Sequence, residues 1–217
     1  MLGLIHWAPP ESGGRLRRTA VEERRILGVP FLWAGIPRGP RTPEAVARRR
    51  VTAAARRLRK LGAARLVLPE GFPYGAQLER AGVGPIATAP LRRLLAAELV
   101  RSAAAGKGPA ARLAAAGDRL SGELVRAVTE LALGSRYVMV DVPFGAGELA
   151  ARLRREYGVS LLLSPSREQL AEADVLALFA PRPDLGETRG TVLRLWDEEA
   201  PLPPLLLPPE LERQLPQ

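Results

Sequence analysis

The chain has 217 residues, 47% hydrophobic and 25% charged, enough for one large or two small folded domains with a true core. It has no cysteine and one histidine, which excludes disulfides, zinc ribbons, iron–sulfur ligation, thiol catalysis and any multi-histidine metal site. Its 32 basic and 23 acidic residues leave a net charge of +9, compatible with an acidic partner, although only Lys60 and Lys107 are lysines. That arginine skew, in a chain crowded with Ala, Gly, Pro and Leu, has the mark of a GC-rich coding sequence.

Leu2-Gly-Leu-Ile-His6 reads as a short apolar strand, closed by Pro9-Pro10 and the turn signal Gly13-Gly14. Leu16 to Leu27 fits a loose helical face and a hairpin strand equally. Phe31-Leu-Trp33, bounded by breakers, is a second strand. Thr42-Pro43-Glu44 has the form of a helix start, with a threonine cap, proline at the first helical position and an acid at the positive end. Ala47, Val51, Ala54, Leu58 and Leu61 then form one apolar stripe, and Arg48, Arg49, Arg56, Arg59 and Lys60 lie off it. Gly62 ends that helix. A strand at Arg65–Leu68, a short helix at 74–81 and a short strand at 85–87 follow.

Pro90 to Ala105 reads as one strong helix, carrying Leu91, Leu94, Leu95, Leu99 and Val100, and Gly106-Lys-Gly-Pro109 reads as a flexible joint. Beyond it strands at 112–116, 136–141, 159–163 and 175–179 alternate with helices at 121–133 and 147–157 and a short helix whose start, Ser166-Arg-Glu-Gln169, has the form of a capping box. Thr191–Trp196 is an edge strand. The tail from Pro201 holds six prolines and reads as extended, with Leu205-Leu-Leu207 placed to dock on the body. The alternation implies an α/β fold with a mainly parallel, Rossmann-like sheet in two halves. The expected divisions are 1–88, a bridging helix at 89–105, a Rossmann-like half at 106–198 and a proline-rich tail at 199–217. No apolar run reaches the roughly 18 residues of a membrane span. Met1-Leu-Gly-Leu-Ile-His-Trp7 lacks a basic leader and cleavage pattern, so the expected location is the cytoplasm.

The chemistry concentrates in strand-to-helix turns. Gly117-Asp118-Arg119-Leu120-Ser121-Gly122 keeps two of the three glycine positions of a phosphate-binding turn, and Asp141 ends the next strand 24 residues after Gly117. Asp141-Val-Pro-Phe-Gly145-Ala-Gly147 is a second such turn, and Ser164-Pro-Ser166 a third. In parallel sheets consecutive turns of this kind share the carboxyl edge, so a small ligand is expected across all three. Asp118 points a charge toward the phosphate position, which opposes binding unless it caps the helix. Glu70, in the corresponding turn of the first half, is a candidate general base only if buried. Neither a Gly-x-Ser-x-Gly elbow nor a Gly-x-x-x-x-Gly-Lys-Ser/Thr loop occurs. His6 reads as a partly buried structural residue.

On these residues, 111–181 resembles the cofactor half of Rossmann-type dehydrogenases, with Ala173-Asp-Val-Leu-Ala-Leu-Phe179 placed like the strand near a nicotinamide. The resemblance implies NAD(P) as cofactor, with Asp141 or a nearby arginine at the ribose. Leu66-Val-Leu-Pro-Glu-Gly-Phe-Pro-Tyr74 and Arg154–Leu163 resemble bacterial α/β proteins with no assigned activity, a likeness that adds no mechanism. The residues single out no acid–base pair, nucleophile or metal set. The leading reading is therefore a non-catalytic or regulatory Rossmann-like protein with a nucleotide-like ligand at the strand ends. The alternatives are an NAD(P)-dependent oxidoreductase and a nucleic-acid-associated protein using the basic helix 43–61. The latter is not favoured, because no aromatics interleave its arginines.

Overall fold

A computed structural model describes residues 1–9, 20–26, 28–205 and 213. The chain is an α/β protein whose residues group into two compact units, Met1–Ile86 and Ala87–Leu206, each built on a five-stranded, mainly parallel sheet.

In the first unit, β1 (Leu2–Ala8), β2 (Val21–Ile26), β3 (Val29–Pro37), α1 (Glu44–Lys60), β4 (Arg65–Val67), α2 (Gly75–Arg80) and β5 (Gly84–Pro85) give the strand order β2-β3-β1-β4-β5. Only the β2–β3 pair is antiparallel. The ambiguity over 16–27 resolves for 21–26 as a strand, hairpinned to β3 through Gly28 at φ 79°. Residues 16–19 and 27, and the Gly13-Gly14 signal, lie outside the described residues. Glu22–Arg25 are exposed on this edge strand, where charges discourage pairing with another chain.

The start and end of α1 differ from the expectation. Pro43 is the cap residue and offers no side-chain bond, while the Thr42 hydroxyl accepts from the Gly39 N–H (2.9 Å) and so fastens the preceding turn. At the far end Leu61 lies past the last helical turn and is half-exposed, and Ala55 joins Ala47, Val51, Ala54 and Leu58 in the core. These pack with Ile5, Leu32, Ile36 and Leu66 from the central strands.

The second unit holds α3 (Ala89–Leu94), α4 (Ala96–Ala103), β6 (Arg112–Ala116), α5 (Gly122–Gly134), β7 (Tyr137–Asp141), α6 (Ala146–Tyr157), β8 (Leu162–Leu163), α7 (Arg167–Ala171), β9 (Val175–Leu178) and β10 (Thr191–Arg194). Its order, β10-β9-β6-β7-β8, is parallel throughout and matches the doubly wound arrangement of Rossmann-like sheets. One face packs on α4, α5 and α6 through Leu99, Val100, Leu124, Val128, Leu131, Leu149 and Leu153. The other is covered through Leu170 of α7 with Ala114, Met139 and Leu176.

The single helix expected over 90–105 is two helices that share Leu95 as their junction. Leu91 and Leu94 are exposed, whereas Leu99 and Val100 are in the core. Arg92 ties α3 elsewhere: its guanidinium donates to the carbonyls of Asp197 (2.7 Å) and Ala200 (2.8 Å). The buried strand expected over 159–163 shrinks to Leu162–Leu163. It sits at the sheet edge with a partner on one side only, which leaves Leu162 exposed. Of the tail, Leu202 and Leu205 pack on the second core, and the Ser102 hydroxyl donates to the Pro204 carbonyl (2.5 Å). Leu206 and Leu207 lie outside the described residues.

Candidate functional site

The second sheet has a switch point at the carboxyl end of β6. The chain leaves β6 toward β7 and β8, then crosses back through α7 to β9 on the other side. Ligand crevices in open parallel sheets form at such a point, because the two departing turns diverge there. The turn Gly117–Gly122 is seated on it. Gly117 is buried and donates to the Asp141 carbonyl (3.0 Å), while the Phe179 N–H donates to the Ala116 carbonyl (2.8 Å). A Cβ on Gly117 would stand 3.0 Å from Leu124 Cδ1, so a glycine here lets helix α5 approach the strand without displacing that side chain.

The three turns named from the sequence lie side by side, since β6 pairs with β7 and β7 with β8. Asp118, Arg119 and Gly122 are exposed, and Ser121 caps α5 by accepting from the Leu124 N–H (3.3 Å). Gly145 caps α6 at φ 84°, and Gly147 is exposed in its first turn. A Cβ on Gly145 would meet Leu120 at 3.0 Å, so the first two turns are in contact at this point. Ser164 adopts φ 46°, a conformation that is costly for a residue with a Cβ and that recurs at ligand sites. Its N–H donates to the Val140 carbonyl (3.1 Å), and Ser166 closes the expected capping box with Gln169. A depression of about 470 Å³ between α5 and α6 reaches these turns at Leu120 and Gly145 and continues along Leu149, Arg152 and Arg155.

The strongest electrostatic feature comes from a fourth turn, Ala180-Pro-Arg182-Pro-Asp184, after β9. Arg182 makes a bidentate pair with Asp184 (2.8 and 2.9 Å) and donates through Nη1 to Asp141. Because β9 and β7 flank β6, this side chain spans the carboxyl end of β6. Asp184 and Asp141 push the Arg182 pKa further up, and Arg182 holds the Asp184 carboxyl down to about 2. Arg167 adds a second cation 3.7 Å from Asp184. The sequence reading missed this turn; charged residues packed between prolines directly after a buried strand were the available signal.

A dinucleotide fits these residues only in part. The glycine turn closes as required, but Glu123 lies at the α5 N-terminus. Hydrogen bonds from its own N–H and from Ser121 hold its carboxyl below the ordinary range. A carboxylate thus already takes hydrogen bonds at this helix end, and Asp141, the residue placed for a ribose, is engaged by Arg182.

The other sequence candidates lie in the first unit. Glu70 is exposed in the turn after β4. His6 is partly buried, edge-on to Trp33 at 5.5 Å, and burial lowers its pKa. Arg48, Arg49, Arg56, Arg59 and Lys60 are exposed on α1, with Arg48 paired to Glu44 at 3.2 Å. Among the described residues no group of three His, Asp or Glu is placed to hold a metal ion, and no helix is long and apolar enough to cross a membrane.

No protein-family model matches the chain, and no curated protein does. Among solved structures, L-tryptophan dehydrogenase from Nostoc punctiforme is 15% identical with a TM-score of 0.28, over 70% of this chain and 45% of that one. The chain thus spans less than half the length of that enzyme, and a likeness of this size identifies no family.

Proposed function

We propose that the second unit is a small-ligand-binding Rossmann-like module with a regulatory, non-catalytic role, and that its ligand is a small nucleotide-like anion. The observation that carries this reading is Arg182, held between Asp141 and Asp184 over the end of β6 with a fifth of its side chain open to solvent. Its bidentate bond to Asp184 fixes the plane of the guanidinium. The Nη1 edge is shared with Asp141 alone, so an incoming phosphate or carboxylate can take that edge. The exchange releases Asp141, whose carboxylate then accepts from a hydroxyl of the same ligand. Arg182 and Asp184 keep their charges across the physiological range, which suits fixed electrostatic recognition and not proton transfer.

A thermal-shift panel of mono- and dinucleotides tests the reading. A saturating ligand is expected to raise stability by roughly 1–3 kcal/mol. Asp141→Asn removes the carboxylate that competes for Nη1, so it should tighten inorganic phosphate and narrow the preference for hydroxyl-bearing ligands over it. If no member of the panel shifts the transition, the proposal fails.

A further inference from the structure

The first unit has a switch point of its own, furnished with different chemistry. Its chain leaves β1 toward β2 and β3, and leaves β4 toward β5 on the opposite side, so the divergence falls between β1 and β4. Leu4 is in register with Val67, the last residue of β4, which carries Trp7 beyond the end of that strand. There Trp7 stacks on Phe72 from the turn after β4, with centroids 5.5 Å apart and planes at 19°. Tyr74 meets both rings edge-on, at 5.9 and 5.5 Å. From the turn after β3, Arg38 lays its guanidinium over Trp7 at 4.7 Å and over Tyr74 at 5.6 Å.

Two features make this cluster more than a packed corner. Trp7, Phe72 and Arg38 are each only partly buried, so ring surface and guanidinium remain reachable. Glu44, whose carboxyl the Arg38 charge helps to hold low, spends its hydrogen bonds on the Tyr74 hydroxyl (2.9 Å) and Arg48 (3.2 Å). Among the described residues Arg38 has no ion-pair partner, and the rings hold it flat with its N–H edge free to bind an oxyanion. The geometry points to a second ligand site at the carboxyl edge of the first sheet, for a planar aromatic ring carrying an oxyanion. The ligand ring packs against the solvent-open parts of Trp7 and Phe72, and Arg38 binds the phosphate or carboxylate.

The test follows tryptophan fluorescence of the full chain during titration with AMP, benzoate, adenosine and inorganic phosphate. AMP or benzoate should bind tighter than either single-feature probe, adenosine or phosphate, and which of the two does so tells phosphate from carboxylate recognition. The quench should vanish in Trp7→Phe and persist in Trp196→Phe, which separates this site from any ligand on the second unit. Arg38→Ala should weaken binding about 10- to 100-fold. Should that variant fold poorly, Arg38→Lys, which keeps the charge but not the flat fork, should still lose affinity. Binding no tighter than that of the single-feature probes, a quench retained in Trp7→Phe, or unchanged affinity in a folded Arg38 variant would each overturn the proposal.

Discussion

The two sheets reach the same topological situation, a parallel edge with diverging turns, and equip it with opposite chemistry. At the second sheet a glycine turn lets helix and strand close up, and an arginine clamped between two aspartates fills the space above β6. At the first sheet no carboxylate clamps the corresponding arginine; the rings of Trp7 and Tyr74 hold Arg38 instead. An arginine held by carboxylates must exchange a partner to bind an anion, whereas one held by ring faces keeps its donors free. Topology thus places a crevice, and the side chains decide how a ligand must enter it.

The sharpest way to break the comparison is to remove the clamped arginine. Arg182→Ala leaves the partly exposed Asp141 and Asp184 facing each other without their cation, and should lower the denaturant midpoint of unfolding more than any other substitution considered. An unchanged midpoint would mean that the clamp is only a solvated contact. On the aromatic side, Tyr74→Phe removes one hydrogen bond to Glu44 from a buried ring and should cost about 1 kcal/mol. An Arg38 affinity unchanged in Tyr74→Phe would show that the ring, and not its hydroxyl, holds the guanidinium.

Acid titration separates the units by group type. Asp184 has a depressed pKa, so its contribution is complete above the ordinary carboxylate value and disappears as pH falls toward about 2. The stability gap between wild type and Asp184→Asn should therefore persist at pH 4 and close by about pH 2. His6 also has a depressed pKa, because burial disfavours its charged form. Its neutral state contributes fully above pH 6.5, and that part of the first unit's stability declines as pH falls below it. His6→Gln should flatten this decline. The smallest effect is expected on α1. Arg56→Ala with Arg59→Ala should change stability by no more than about 0.5 kcal/mol and leave nucleic-acid retention weak and nonspecific. A steep salt dependence of DNA or RNA binding, abolished by that pair, would revive the basic helix as an interface.

Much of this architecture was legible because it is written in periodicity and punctuation. Leu113–Ala116 and Val138–Val140 are continuous small or branched apolar runs, and Ser121, Ser166 and Gly158 mark helix ends by local chemistry alone. The juxtaposition of the three turns followed from the parallel alternation. The failures were tertiary. Leu95 divides a continuous helical pattern beside Arg92, whose partners are carbonyls more than 100 residues away. Thr42 caps a turn instead of the helix because Gly39 is within its reach. Arg182 could not be assigned to Asp141 from a separation of 41 residues, since the pairing depends on β9 crossing to the far side of β6. The aromatic cluster is likewise drawn from three distant segments, around Trp7, Arg38 and Phe72.

The central claim is that Arg182 binds the ligand of the second unit by exchanging Asp141 for an oxyanion. It is tested most directly by calorimetric titration of the strongest panel ligand into wild type, Asp141→Asn and Arg182→Gln. Loss of affinity by at least about tenfold in Arg182→Gln, with Asp141→Asn erasing the preference for a hydroxyl-bearing ligand over inorganic phosphate, is the predicted result. Equal affinity in wild type and Arg182→Gln would contradict it.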